Sequence, residues 1–438
     1  MLGSLEGSDL NCLIAGGGDA SRGAPAELAD AVTLAWSTPP AAAINMIRNS
    51  NSTALNPHVQ YTPLDRVALA SLRRMTSRTR RSYANLGTKE AVMALADFAS
   101  QDMSAGYLDA CKDRLYADPL EAPRSISCRS VLWACMRGMT AALAPIAPYT
   151  AEDVFQHSVE IVAASMGQPS PEPGYDPMET PLVDGLTVMD ASWSHEDFPA
   201  GWAALPSSEL PLLSARAKLP KDGAFLIEDV HSVLRTLRAH VDRLRSHARV
   251  EGVVGSEEEV DVHVTLSGDG AVEAAEVLAW FAGSSSLVAN GSFDVRVGSD
   301  LSDSLKASGV RVSVQVQEPP AQDDSDGITF ATTVALDGRK GLDYAREIAQ
   351  LPLSIRGVQT WQQHCFVEQQ DAAKSQPLDD AGLDPCLEDK ATEVVQIAGV
   401  HMLVEIAPAD GHRCGRCWRY EPSVSPAAAG AEDEVALC

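Results

Sequence analysis

The sequence predicts a multidomain fold: an all-α helical bundle, then a small α/β domain, then a zinc-ribbon-like C-terminus. Three observations predict it. Apolar residues recur at helical spacing between residues 61 and 165. The stretches "EVDVHVTL" and "VRVSVQVQ" alternate apolar and polar residues as half-buried strands do. Cys414 and Cys417 have two residues between them, and twenty residues separate Cys417 from Cys438. At 438 residues the chain has room for several domains, since domains run to ~100–200 residues each.

Residues 1–60 are rich in Gly, Ala, Ser and Asn without a sustained period and read as a linker or the remnant of a domain junction. The run "IAGGGDASRG" has neither the preceding strand nor the following Lys-Ser/Thr that a phosphate cradle needs. Residues 61–165 carry three apolar stripes: Leu64, Val67, Leu69, Leu72 and Met75; then Ala91, Leu95 and Phe98; then Leu132, Met136, Met139 and Leu143. The prolines of "APIAPYT" stop the third helix, and Thr150 with Asp153 reads as a capping box, Tyr149 and Val154 forming a staple beside it. Residues 166–223 form a Pro-rich connection. Residues 224–317 supply an α/β unit: a long helix from Ile227 to Arg249, the two alternating strands, and the short helix "AVEAAEVLAWFAG". Residues 318–392 are acidic and rich in breakers and read as a partly disordered insertion. Residues 393–438 give strand character in "EVVQIAGVHMLVEIAP" followed by an incomplete zinc module.

Composition narrows the function classes. With 45% hydrophobic and 21% charged residues the chain reads as soluble and globular. Its longest apolar run, "VLWACMRGMTAALAPIAPY", is broken by Arg137 and two prolines, so no membrane helix is expected. No secretory or transit signal is legible in the first thirty residues, which points to an intracellular setting. Cys111, Cys128, Cys135, Cys365 and Cys386 lack a framework of spacings and read as isolated buried thiols. A net charge of −26 opposes nucleic-acid binding. The distribution qualifies it: Arg66, Arg73, Arg74, Arg78, Arg80 and Arg81 cluster with no acid between them. Arg235, Arg238, Arg243, Arg245 and Arg249 are opposed only by Asp242, and Arg413, Arg416 and Arg419 surround the cysteine pair. Each cluster reads either as an RNA-facing patch or as a solvated helix face.

The two-residue gap of Cys414-Gly-Arg-Cys417 lets both thiolates reach one tetrahedral zinc from a tight turn. A redox pair is the competing reading, but the basic and aromatic flanks favour zinc over the strand-then-helix setting of a thioredoxin-like motif. His231, His240 and His247 share no ligand spacing and read as surface residues of the long helix.

"ADGHRCGRCWRY" after "MLVEIAP" resembles the C-terminal zinc module of bacterial-type isoleucyl-tRNA synthetases. "TPLDRVALASL", "SAGYLDACKDRLYAD" and "LAPIAPYTAEDVFQ" resemble the helical anticodon-binding domain of the isoleucyl, valyl, leucyl and methionyl enzymes. The resemblance covers residues 44–317 and 393–438. It implies a truncated C-terminal half of a class I isoleucine--tRNA ligase, with residues 61–165 as the anticodon-binding domain. Neither a His-Ile-Gly-His-like nor a Lys-Met-Ser-Lys-Ser-like motif occurs in these 438 residues. No catalytic residue is therefore expected here; ATP would serve only the complete enzyme, and whether this chain acts as an enzyme is left open.

The implied partner is tRNA, joined by a separate catalytic half if the chain is a natural product; a monomer without membrane contact is expected. The implied location is cytoplasmic, with the mitochondrion or plastid as the alternative. The tRNA-binding candidates are Arg73, Arg74, Arg78, Arg80, Arg81, Arg416, Trp418 and Arg419, arginine meeting phosphate and Trp418 either stacking on a base or packing under the zinc turn. The metal candidates are Cys414, Cys417 and Cys438, an incomplete zinc site. In "YLDACKDRLY", Tyr107, Leu108, Leu115 and Tyr116 read as packing and Lys112, Asp113 and Arg114 as an ion-pair network. The competing function is a freestanding synthetase-derived RNA-binding or adaptor protein without ligase activity.

Overall fold

Helix α1, Pro63–Ala84, begins where the sequence supplies a full cap. The Thr62 hydroxyl accepts the Asp65 N–H at 3.4 Å, the Asp65 carboxylate accepts the Thr62 N–H at 3.0 Å, and Pro63 opens the first turn. This start belongs to the computed structural model of the chain. It describes residues 60–119, 122–165, 188–190, 200–252, 254, 260–283, 292–296, 299–315, 329–332, 343–351, 353–359, 393–397, 400–409, 411–414, 419–421 and 424. The described residues fall into two units, the first up to Ala204 and the second from Leu205 onward.

In the first unit α1 is followed by α2, Thr88–Asp97, a π-helix, Phe98–Leu108, and α3, Asp109–Tyr116, running one into the next. The π-helix suits its sequence. Its buried residues Phe98, Ala99, Met103, Tyr107 and Leu108 recur every four to five positions, a spacing that keeps one face only if the helix widens to i→i+5 pairing. Helix α4, Pro123–Leu143, is buried on most sides, and α5 covers Pro148–Ser165. Leu69, Leu72, Phe98, Tyr107, Leu115, Val131 and Trp133 fill the core, with Trp202 packed against them. Cys111, Cys128 and Cys135 are buried there as free thiols; burial pushes Cys111 and Cys135 above the usual thiol range and leaves them poor nucleophiles. Cys365 and Cys386 lie outside the described residues.

The capping box read at Thr150 is not what starts α5. That helix begins two residues earlier, at Pro148, whose fixed φ suits a first helical position, and Ala151 N–H already bonds Ala147 O at 3.0 Å. Tyr149 is thereby drawn into the first turn and is 80% exposed rather than stapled over Val154.

The second unit contains β1, Ala204–Pro206; α6, Pro211–Ala217; β2, Ala224–Leu226; α7, Ile227–Val250; β3, Val260–Ser267; and α8, Ala271–Phe281. It continues with β4, Ser292–Arg296; α9, Asp300–Leu305; β5, Gly309–Gln315; β6, Thr329–Thr332; β7, Asp343–Gln350; and β8, Leu353–Val358. It closes with β9, Glu393–Ile397; β10, His401–Pro408; β11, His412–Arg413; and β12, Tyr420–Glu421. A six-stranded sheet runs in the order β4-β5-β3-β10-β7-β6 and a four-stranded sheet in the order β1-β2-β8-β9. The β3–β5 pair is parallel, its strands joined across α8, whereas β10 lies antiparallel between β3 and β7. Helix α7 packs on β7 and β10 and α8 on β3 and β5. Val262, Val264, Leu266, Met402, Val404 and Ile406 are all buried at alternate positions of their strands. Helix α6 is capped from a distance: the Leu212 and Leu213 N–H groups donate to Glu276 of α8 at 2.9 and 2.8 Å, while burial holds that carboxyl above its usual range.

This architecture corrects the expected fold class. The sheets are not confined to a small appendage after an all-α region. Strand β1 and helix α6 come from the stretch read as a connection. Strands β6, β7 and β8 come from the stretch read as an insertion, and β8 lies inside the four-stranded sheet. The alternation is weak in "DYAREIAQ" because Glu347 of β7 is turned toward α7, where His240 and Arg243 hold it at 3.1 and 2.6 Å. A carboxylate inside a strand pattern is legible only together with its distant partners.

Candidate nucleic-acid interface

The position of α1 is set by a buried polar knot at its first turn. Asp65 accepts the Tyr107 hydroxyl at 2.6 Å and the Arg114 guanidinium at 3.2 Å, and Arg114 also reaches the Thr62 hydroxyl at 3.1 Å. The side chains of Arg114 and Asp65 are both fully buried. Burial, and the Asp65 charge after it, push the Tyr107 phenol well above its ordinary value, so it stays protonated and donating. Arg114 therefore pairs with a residue 49 positions away, while Lys112 pairs at 3.6 Å with Asp109. Helix α1 is thus pinned to the π-helix and to α3, and its C-terminal half carries the arginines outward.

Those arginines divide by environment. Arg73 is 4% exposed; a guanidinium sunk in the bundle offers nothing to a phosphate, and the structure removes Arg73 from the surface set. Arg74 donates to Asp102 of the π-helix at 2.7 Å. Arg78 and Arg81 are exposed and Arg80 is half-buried. Arg74, Arg78 and Arg81 follow at i, i+4 and i+7 and so share one face. Among the described residues, Arg78 and Arg80 have no ion-pair partner. Asp102, which no spacing argument picks out, is the acid that holds one end of the stripe.

The other basic clusters are neutralised in part from within, with Arg235 and Arg249 of α7 exposed. In α7, Arg245 is buried, donating to Asp242 at 3.1 Å and to the Leu305 carbonyl, while Arg238 lies 3.7 Å from Asp242. Arg243 and His240 share Glu347, so His240 is a half-buried partner of the sheet rather than a plain surface residue. Near the C-terminus, Arg419 is 4% exposed and meets Asp303 at 3.0 Å, which takes it too out of the RNA-facing candidates. The β11–β12 hairpin closes with the Cys414 N–H donating to the Arg419 carbonyl at 2.8 Å, and the Cys414 side chain is fully buried. The other candidates there, Arg416, Cys417, Trp418 and Cys438, lie outside the described residues. Among the described residues no group of three or more metal-ligating side chains is gathered.

Residues 65–241 match the family model described as the anticodon-binding domain of tRNA ligase. This chain carries a tRNA-ligase anticodon-binding domain. The match begins at the buried Asp65, covers all five bundle helices and runs on through β1, α6 and β2 into α7, so the domain is not all-α. Among curated proteins, the chain is similar to the isoleucine--tRNA ligase of Desulforudis audaxviator, 32% identical over 124 residues, which are 26% of this chain and 13% of that protein. It is 34% identical to that of Campylobacter hominis over 102 residues, 23% of this chain and 11% of the relative. With that of Aromatoleum aromaticum the identity is 25% over 212 residues, 48% of this chain and 18% of the relative. The chain thus matches these relatives over less than a fifth of their length.

Proposed function

We propose that this chain binds tRNA, specifically an isoleucine tRNA, as the anticodon-binding region of an isoleucine--tRNA ligase. One observation carries the reading: the domain matched to tRNA ligases presents Arg78 and Arg81 to solvent on one face of a helix anchored at its other end by buried Asp65 and Arg114. An RNA loop exposes phosphates in a bent path, and a stiff helix holds cations in register with them. The chemistry of these residues is recognition. Adenylate formation and transfer fall to a catalytic domain whose ATP motifs are not among the 438 residues. The reading includes a zinc ion at Cys414, Cys417 and Cys438, supplying a rigid cross-link for the hairpin. Metal analysis of the purified chain should then find zinc that is lost in Cys414→Ser.

The test is equilibrium binding of the full chain to an isoleucine tRNA transcript across a range of salt. Affinity should fall as salt rises, and replacing Arg78 and Arg81 together by Ala should flatten the log–log slope by about 1.4, near 0.7 for each phosphate no longer neutralised. Binding that ignores both salt and these arginines overturns the interface. Equal affinity for unrelated RNA loops would instead favour a general RNA adaptor.

A further inference from the structure

The end of the bundle beyond the arginine stripe carries exposed apolar side chains that neither its core nor its ion pairs use. Leu86 is 90% exposed and holds the left-handed φ of 57°, which projects it out of the α1–α2 turn. Tyr149 is 80% and Ile146 36% exposed, at the start of α5 and in the turn before it. The Tyr83 hydroxyl, near the end of α1, donates to the Ala142 carbonyl, near the end of α4, at 2.7 Å. That bond places the ends of α1 and α4, and so the starts of α2 and α5, at one end of the bundle. Arg78, Arg81 and Lys89 are exposed on α1 and α2 at the same end.

Single exposed apolar residues are ordinary on a protein surface. Here an aromatic ring and two aliphatic groups share a bundle end with cations; of the nearby acids Glu152 is hydrogen-bonded, while Asp153 of α5 and Glu90 of α2 are exposed. Glu152 accepts the Val188 N–H at 2.7 Å and the Gln156 amide at 2.6 Å, and Asp153 lies 3.4 Å from His157. A bundle end that carries both an exposed ring and exposed arginines and a lysine offers what an unpaired nucleotide needs, a partner for a flat base and one for a phosphate. From this geometry, and resting on the proposal that the bundle binds tRNA, we infer that Tyr149 is the stacking platform for an unpaired base of the RNA loop. Leu86 and Ile146 flank it, and Arg78 and Arg81 hold the adjoining phosphates. The start of α5 at Pro148, which leaves Tyr149 in an exposed first turn, thereby makes the ring available to the base.

The experiment uses the full chain and an isoleucine tRNA transcript carrying 2-aminopurine at an unpaired position of the anticodon loop. Tyr149→Ala should weaken binding about tenfold, within the usual range for removal of one base–aromatic stack. It should abolish the quenching of 2-aminopurine on binding, and leave the salt slope and melting temperature unchanged. Tyr149→Phe, which keeps the ring, should restore affinity and quenching. If the wild type binds tRNA through Arg78 and Arg81 while Tyr149→Ala binds equally well, the stacking site is refuted and the interface stands. If Tyr149→Phe is as weak as Tyr149→Ala, the ring is not the recognising group and the proposal fails. If the wild type does not bind tRNA at all, the functional reading beneath it fails first.

Discussion

Helices α1 and α7 are both long, amphipathic and rich in arginine, and yet they meet solvent differently. In α7, Arg243 is held by Glu347, Arg245 by Asp242 and the Leu305 carbonyl, and Arg238 lies beside Asp242, which leaves Arg235 exposed without an ion pair among the described residues. In α1, Arg73 is buried and Arg74 is held by Asp102, but Arg78 and Arg80 are left without an acid among the described residues. The difference lies in what the neighbouring elements carry. Strand β7 brings a carboxylate to α7, whereas only the middle of α1 faces the acid of the π-helix. A count of arginines is therefore a poor measure of positive surface on a chain with net charge −26. What counts is how many remain after the fold has placed its own carboxylates.

The sharpest way to break this contrast is at the knot that aims α1. Arg114→Ala leaves Asp65 charged, buried and without its cation, and should cost ~3–5 kcal/mol in urea unfolding; a loss below ~1 kcal/mol would mean that the pair does not anchor the helix. The next test exchanges the helices. Arg243→Ala with Arg249→Ala removes as many charges from α7 as the paired Arg78 and Arg81 changes remove from α1. The α7 pair should leave the salt dependence of tRNA binding nearly intact and lower stability by only ~0.5–1 kcal/mol, as for half-exposed ion pairs. Equal effects from both pairs would dissolve the distinction.

The smallest effect concerns the bundle end. Tyr83→Phe removes the bond to Ala142 and should cost ~1 kcal/mol. Burial pushes the Tyr83 phenol up to about 12 from 10.0. A raised folded value means that its contribution is full below pH 10 and is lost as pH climbs through about 12. The stability gap between wild type and Tyr83→Phe should accordingly be constant to pH 10 and narrow above it. A gap that widens there would contradict the sign.

The legible parts of the fold were those with a local period. Val230, Val233, Leu234, Leu237, Val241, Leu244 and Ala248 recur every three to four residues and are all buried, so α7, predicted from Ile227 to Arg249, runs from Ile227 to Val250. The strands β3, β5 and β10 alternate as their burial does. Strands β6 to β8 were not legible, since β7 owes its place to pairing with β10 and to Glu347 meeting α7. The candidate interface was legible as a cluster and illegible as a surface. Nothing local separates Arg73 from Arg78, and the partners that sort such arginines stand 28 residues away for Arg74 and 104 for Arg243.

By itself the sequence determined the helical bundle, the long amphipathic α7, the alternating strands and the spacing of Cys414 and Cys417, because each follows from the repeat of a helix, a strand or a turn. Only the tertiary structure decided that the supposed insertion builds sheet, that Arg73 and Arg419 turn inward, and that Arg78, Arg81 and Tyr149 stay outside. The physical reason is that burial and ion pairing are set by groups far apart in the chain, and the free energy of a charge or a ring depends on what the fold brings beside it.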